Sequence, residues 1–77
     1  MTKSLANLLP GEKAKIVELD GGYVFQRKLR TMGIREGKVL RVVAMHPVGG
    51  PFVVDVEGEV VAIGRGMVRR IFVEVLK

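Results

Sequence analysis

The chain has 77 residues, no cysteine, 48% hydrophobic content and 13 basic against 8 acidic side chains, a formal charge of +5. A domain this small must fold on a dense core, and without cysteine it has no disulfide, thiolate metal site or cysteine nucleophile, a usage that agrees with a reducing cytosol. Aliphatic runs such as Val60 to Ile63 are far too short to span a bilayer, and Met1 to Pro10 lacks the sustained apolar stretch of a signal peptide, so a soluble protein is expected.

Ser4 to Leu9 carries Leu5, Leu8 and Leu9 at helical spacing, with Ser4 as a candidate N-cap. So short a run cannot hold a helix unaided, and one packed turn is expected. Pro10 and Gly11 end it and start a strand over Glu12 to Leu19. Ala14 and Ile16 alternate there with Lys13 and Lys15 until the pattern slips at Val17, which suggests a bend or bulge. Asp20, Gly21 and Gly22 then form a turn, and either Asp20 or Gly22 caps a helix over Tyr23 to Met32. Phe25, Leu29 and Met32 share its inward face, while Tyr23, Arg27 and Arg30 share a face about half a turn round. With Met32 as C-cap, Gly33 takes the left-handed position and Ile34 meets Leu29, the contact of a Schellman motif. Lys28 and Arg30 stand near the negative end of the helix dipole.

Glu36 and Gly37 turn the chain into a strand over Lys38 to Met45, with Leu40, Val42 and Ala44 on one face and Arg41 on the other. His46 to Pro51 is a loop rich in proline and glycine. Phe52, Val54 and Val56 face inward on the next strand, and Glu57 with Gly58 makes a tight turn into Glu59 to Ile63. Gly64 to Arg69 reads as a turn or a single 3₁₀ loop. The last strand, Arg70 to Leu76, has Ile71, Val73 and Val75 on one side.

This is an all-β pattern of about five strands with one short α-helix inserted after the first. It forms a single domain over residues 1–77. A small β-barrel, closed or nearly so, would hide both the aliphatics and the sheet edges. LPGEKAKI and IREGKVLRV resemble each other as two turn-then-strand devices, a likeness attributed to coincidence at that length. Arg27 to Arg41 is basic apart from Glu36, while Asp55, Glu57 and Glu59 gather at a later turn, so charge should be polarised across the molecule.

No catalytic residues are assigned, because the one histidine, His46, and the hydroxyls of Thr2, Ser4, Thr31 and Tyr23 stand beside no plausible partner. Asp55, Glu57 and Glu59 lack the fixed neutral oxygens of a cation site, and the paired glycines do not match a phosphate loop, so neither metal nor cofactor residues are assigned. Arg65, Arg69 and Arg70 could meet phosphates, yet Phe25 and Phe52, two of only four aromatics, belong to the core. No nucleic-acid partner is expected from stacking. Tyr23, Arg27, Arg30 and Arg35 remain, residue types enriched at protein interfaces. Two readings stay open, a partner-docking face or a tyrosine laid over the barrel mouth with arginines along it.

LANLLPGEKAKIVEL, the GG turn, RKLRTMGIREGKVLRVV, P-x-GGP and VEGEVVAIGRGMVRRIFV together resemble the FeoA family of ferrous-iron transport protein A along almost the whole chain. The most specific element is L-x-x-M-G-I-x-x-G, here Leu29, Met32, Gly33, Ile34 and Gly37. A similar module forms the C-terminal domain of iron- and manganese-dependent repressors, and without a winged-helix segment the stand-alone protein is expected. The resemblance implies an SH3-like barrel, a cytoplasmic location and a non-catalytic accessory role in ferrous-iron uptake, docked on the membrane permease FeoB and peripheral to the membrane only through it. The alternatives are a regulator-type domain that senses metal or contacts a repressor and, third, a nucleic-acid-binding barrel. Homo-oligomerisation through strand edges stays open. Val68 stands where the family pattern puts a small alanine, which leaves the packing of Gly64 to Arg69 on the last strand open.

Overall fold

The structure, a computed structural model, describes residues 2–76. Its elements are β1 (Thr2–Ser4), a 3₁₀ turn (Leu5–Asn7), β2 (Lys13–Leu19), α1 (Tyr23–Thr31), β3 (Val39–Met45), β4 (Phe52–Val56), β5 (Glu59–Ile63), α2 (Arg65–Val68) and β6 (Ile71–Leu76). All pairings are antiparallel, in the order β1-β6-β2-β3-β4-β5. The sheet wraps one core to which every strand but β1 contributes, together with Leu5, Leu8, Leu29, Ile34 and Val68. It is not closed, since β1 and β5 are the two edges.

Sequence periodicity accounts for most of these elements. Ser4 caps the 3₁₀ turn, its Oγ accepting the Ala6 N–H at 3.2 Å. The slip at Val17 is a bulge in the β2–β6 pairing between Ile16 and Glu18. Gly22 is the cap of α1, and the helix ends as a full Schellman motif. Gly33, at φ +86°, donates to the Arg30 carbonyl at 3.0 Å, and Ile34 donates to that of Leu29 at 2.9 Å, with both Leu29 and Ile34 fully buried. The Glu57 to Gly58 turn has positive φ at both positions, 51° and 100°, as a two-residue type I′ hairpin requires.

Other expectations change. A sixth strand, β1, pairs with β6; Thr2 to Ser4 carries no apolar alternation to announce it. Gly64 to Arg69 holds a single α-helical turn, α2, and Val68 is fully buried, so the larger side chain is accommodated. A second bulge between Val42 and Ala44 turns Ala44 outward, so it is exposed rather than in line with Leu40 and Val42. Charge is not segregated either. The antiparallel β3–β4 register sets Arg41 opposite Asp55, and Lys38 Nζ lies 3.8 Å from Glu57, so the acidic hairpin sits beside the basic segment.

The likeness of LPGEKAKI to IREGKVLRV proves structural. Glu12 N–H donates to the Leu9 carbonyl and Lys38 N–H to that of Arg35, closing two turns whose third residues, Gly11 and Gly37, have φ +95° and +92°, the type II geometry. Gly11 N–H donates to Val42 O at 2.7 Å and Gly37 N–H to Ile16 O at 2.8 Å. Val42 N–H donates to Glu12 O at 3.0 Å and Ile16 N–H to Lys38 O at 2.8 Å. A local pseudo-two-fold axis therefore passes between Ala14 and Leu40, which face each other in the register. It relates the bulge at Val17 to that at Val43, and the pairs Ile16–Val73 and Leu19–Ile71 to Val42–Val54 and Met45–Phe52. At the edges it relates Lys3, opposite Val73, to Val61, opposite Val54.

Candidate docking surface

Helix α1 crosses between β2 and β3 and presents its arginine face outward. It is fastened from within: the Gln26 side-chain amide donates to the carbonyls of Leu19 and Gly21, each at 3.0 Å. Leu29 is fully buried, while Phe25 and Met32 are half-buried against the core. Gly21 has no room for a Cβ, because the Phe25 ring occupies that space. The inward face of the helix thus acts as a lid on the core, and the outer face is fixed in direction by it.

On that outer face Tyr23 is 74% exposed, so it does not lie over a barrel mouth. Arg27, Arg30 and Arg35 are exposed as well. Thr31 Oγ donates back to the Arg27 carbonyl at 2.9 Å. Arg30 is not wholly free, since its Nη2 lies 3.4 Å from Glu36 Oε1, with both side chains about two-fifths exposed; such a pair holds its partners by no more than about 1 kcal/mol. Val24, 78% exposed and adjacent to Tyr23, adds an apolar contact that residue type alone did not single out. An exposed aromatic and aliphatic pair rimmed by arginines is the composition of an interface centre with its polar rim.

The remaining basic residues divide by role. Arg65 donates to His46 O at 2.7 Å and Gly50 O at 3.3 Å and stands over the Phe52 ring, tying the His46 to Pro51 loop to the core. Arg70 stands 5.4 Å over the Phe25 ring. Two of the three arginines that could have met phosphates are thus engaged within the fold, where their planar cations suit carbonyl and ring contacts. Across the outer face of β2, β3 and β4 lies a cleft of about 310 Å³ lined by Lys13, Val39, Leu40, Arg41, Asp55 and Glu57. Its carboxylates are already occupied: Asp55 Oδ1 accepts the Gly58 N–H and Glu57 Oε2 the Val39 N–H. Among the described residues no three His, Asp or Glu side chains converge on one point as a metal cage would need, and no helix is long and apolar enough to cross a membrane.

Open six-stranded sheet, capped crossing helix and fully packed aliphatic core define a small SH3-like β domain. The FeoA domain profile matches residues 3–75, and the chain belongs to the FeoA domain family. A Methanocaldococcus jannaschii protein that carries the name Fe(2+) transport protein A is 34% identical over 70 residues, 91% of this chain and 83% of its own. The crystal structure of an iron uptake regulatory protein, FeoA, superposes with a TM-score of 0.92 at 36% identity, over 99% of this chain and 100% of its own. A Chlorobium tepidum FeoA protein gives a TM-score of 0.87 at 26% identity, over 96% of this chain and 70% of its own. A manganese-dependent transcriptional repressor, at 22% identity and a TM-score of 0.91 over 97% of this chain and 37% of its own, shares the fold. The resemblance read from Leu29, Met32, Gly33, Ile34 and Gly37 is borne out, and these residues form the helix end and the turn that follows it.

Proposed function

We propose that this protein is a non-catalytic accessory factor in ferrous-iron uptake, acting in the cytoplasm by docking on the soluble portion of the FeoB permease. Membership of the FeoA family, with a relative named for Fe(2+) transport, supports the iron role. The observation that carries the docking reading is the outer face of α1, where Tyr23 and Val24 stand exposed beside Arg27, Arg30 and Arg35 on a helix whose direction is fixed by its buried side. A partner surface with an apolar pocket and an acidic rim is complementary to it.

Calorimetry against the soluble domain of the permease tests this. The double variant Arg27→Glu, Arg30→Glu should weaken binding by about tenfold or more, because charge reversal at an interface adds repulsion to the loss of contact. Its melting temperature should stay close to the parent's, since both side chains are exposed. Unchanged affinity removes this face from the reading.

A further inference from the structure

The pseudo-two-fold axis places β1 and β5 at equivalent edges of the sheet, and the two edges are finished in opposite ways. A strand edge left open offers unpaired backbone donors and acceptors to any other strand, and proteins ordinarily guard it with brevity, charge, proline or a bulge. β1 is guarded. It has three residues, its middle one is the exposed Lys3, and Ser4 Oγ is turned to the Arg69 carbonyl at 3.2 Å. Self-pairing of β1 about its centre would set Lys3 directly against a second Lys3, a repulsive cross-strand pair.

β5 carries one charge, Glu59 at its first position, and otherwise lacks these guards. Its five residues, Glu59 to Ile63, pair with β4 without a register shift and contain no lysine, arginine or proline. Because a two-residue turn joins Val56 to Glu59, those two residues bond to each other across the hairpin, as do Val54 with Val61 and Phe52 with Ile63. The N–H and C=O groups of Val60 and Ala62 therefore point away from β4. Both residues are exposed, Val60 at 64%.

We infer that the β5 edge is a self-association site at which a second copy of this chain adds its own β5 antiparallel, extending the sheet across a two-fold axis at Val61. In that register Val60 of one copy lies opposite Ala62 of the other, and all the outward backbone groups of both strands are paired, giving four hydrogen bonds. Neighbouring registers pair only one of the two outward residues within the strand. The side chains agree: Val61, half-buried on the core side, meets its own copy, Val60 and Ala62 meet on the outer face, and Glu59 falls opposite Ile63, so no like charges oppose. None of Tyr23, Arg27, Arg30 and Arg35 belongs to β5, and the inference does not depend on the docking reading.

Sedimentation equilibrium of the full chain tests the inference. An interface this small should give a dissociation constant of about 100 µM, so the parent should be largely dimeric at about 1 mM. Ala62→Pro removes an outward N–H without touching the β4–β5 ladder and should leave a monomer with a parental melting temperature; Val60→Lys, which places a charge on the edge as Lys3 does on β1, should do the same without a backbone change. In the parent, the amides of Val60 and Ala62 should gain exchange protection as concentration rises. A parent that stays monomeric at about 1 mM overturns self-pairing. So does a folded Val60→Lys chain that dimerises as the parent does.

Discussion

Leu9 to Leu19 and Arg35 to Met45 follow one backbone plan, a type II turn, a short paired segment and a bulge, yet share few side chains. Pro10 stands where Glu36 does, Glu12 where Lys38 does, and Ala14 where Leu40 does. Glu12 closes its own turn, its Oε1 accepting the Leu9 N–H at 2.7 Å, whereas Lys38 reaches out to Glu57. The plan is carried by glycine φ angles and by four backbone hydrogen bonds about the axis. Side chains are then free to allot volume and charge unequally, provided that the sum at the axis fills the space. Symmetry of backbone with asymmetry of side chain is what lets one sheet carry a guarded edge and a bare one.

The largest test exchanges volumes at the axis. Leu40 and Ala14 are buried, only 1% and 0% exposed, and directly opposed. Leu40→Ala should cost about 3 kcal/mol through lost burial and a residual cavity, lowering the melting temperature by about 12 to 25 °C in a domain of this size. Ala14→Leu alone should cost about 1 to 3 kcal/mol by overpacking. If the halves are equivalent, the double exchange restores the summed volume, and its loss is smaller than that of Leu40→Ala alone. A double variant whose losses simply add shows that the equivalence ends at the backbone.

A smaller effect is expected at the turns. An added Cβ at Gly11 or Gly37 would meet nothing within 4 Å, so the cost of Gly→Ala at either is conformational, about 1 to 2 kcal/mol for an L residue at positive φ. The two variants should melt within a few tenths of a kcal/mol of each other. A clear difference would mean that one turn relaxes and the other cannot.

Much of this was legible in the sequence where local chemistry decides the outcome. The end of α1 is written in Met32, Gly33 and Ile34, the hairpin in Glu57 and Gly58, and the first bulge in the slip at Val17, because each depends on φ preference or on alternation within a few residues. Three features were not legible because they depend on distant partners. Thr2 to Ser4 becomes a strand only by lying on β6. Ala44 turns outward because of a bulge at Val43, where the unbroken apolar run Val42 to Met45 offers no polar residue, as Glu18 does after Val17, to mark the new register. The internal symmetry was hidden since its matching positions keep backbone roles and exchange residue types. At the surface, the exposure of Tyr23 and Arg27 followed from helical spacing, but the Arg30–Glu36 pair needed the Schellman turn to bring Glu36 back beside the helix.

The finest comparison concerns the second residue of each turn. Pro10 suits that position because its fixed φ matches the value a type II turn requires there, and the equivalent residue on the other side is Glu36, whose N–H makes no backbone hydrogen bond outside regular elements. Glu36→Pro should therefore stabilise the chain by about 0.4 to 1 kcal/mol through a less flexible unfolded state. Against this stands the loss of the half-exposed ion pair with Arg30, worth a few tenths of a kcal/mol, so the net effect is a gain and a melting temperature raised by about 1 to 4 °C. Proline also restricts the residue before it to extended geometry, a condition Leu9 already meets ahead of Pro10. A rise in melting temperature thus requires Arg35 to share the backbone of Leu9; a fall would locate the first departure from symmetry at Arg35, beside the surface proposed for docking.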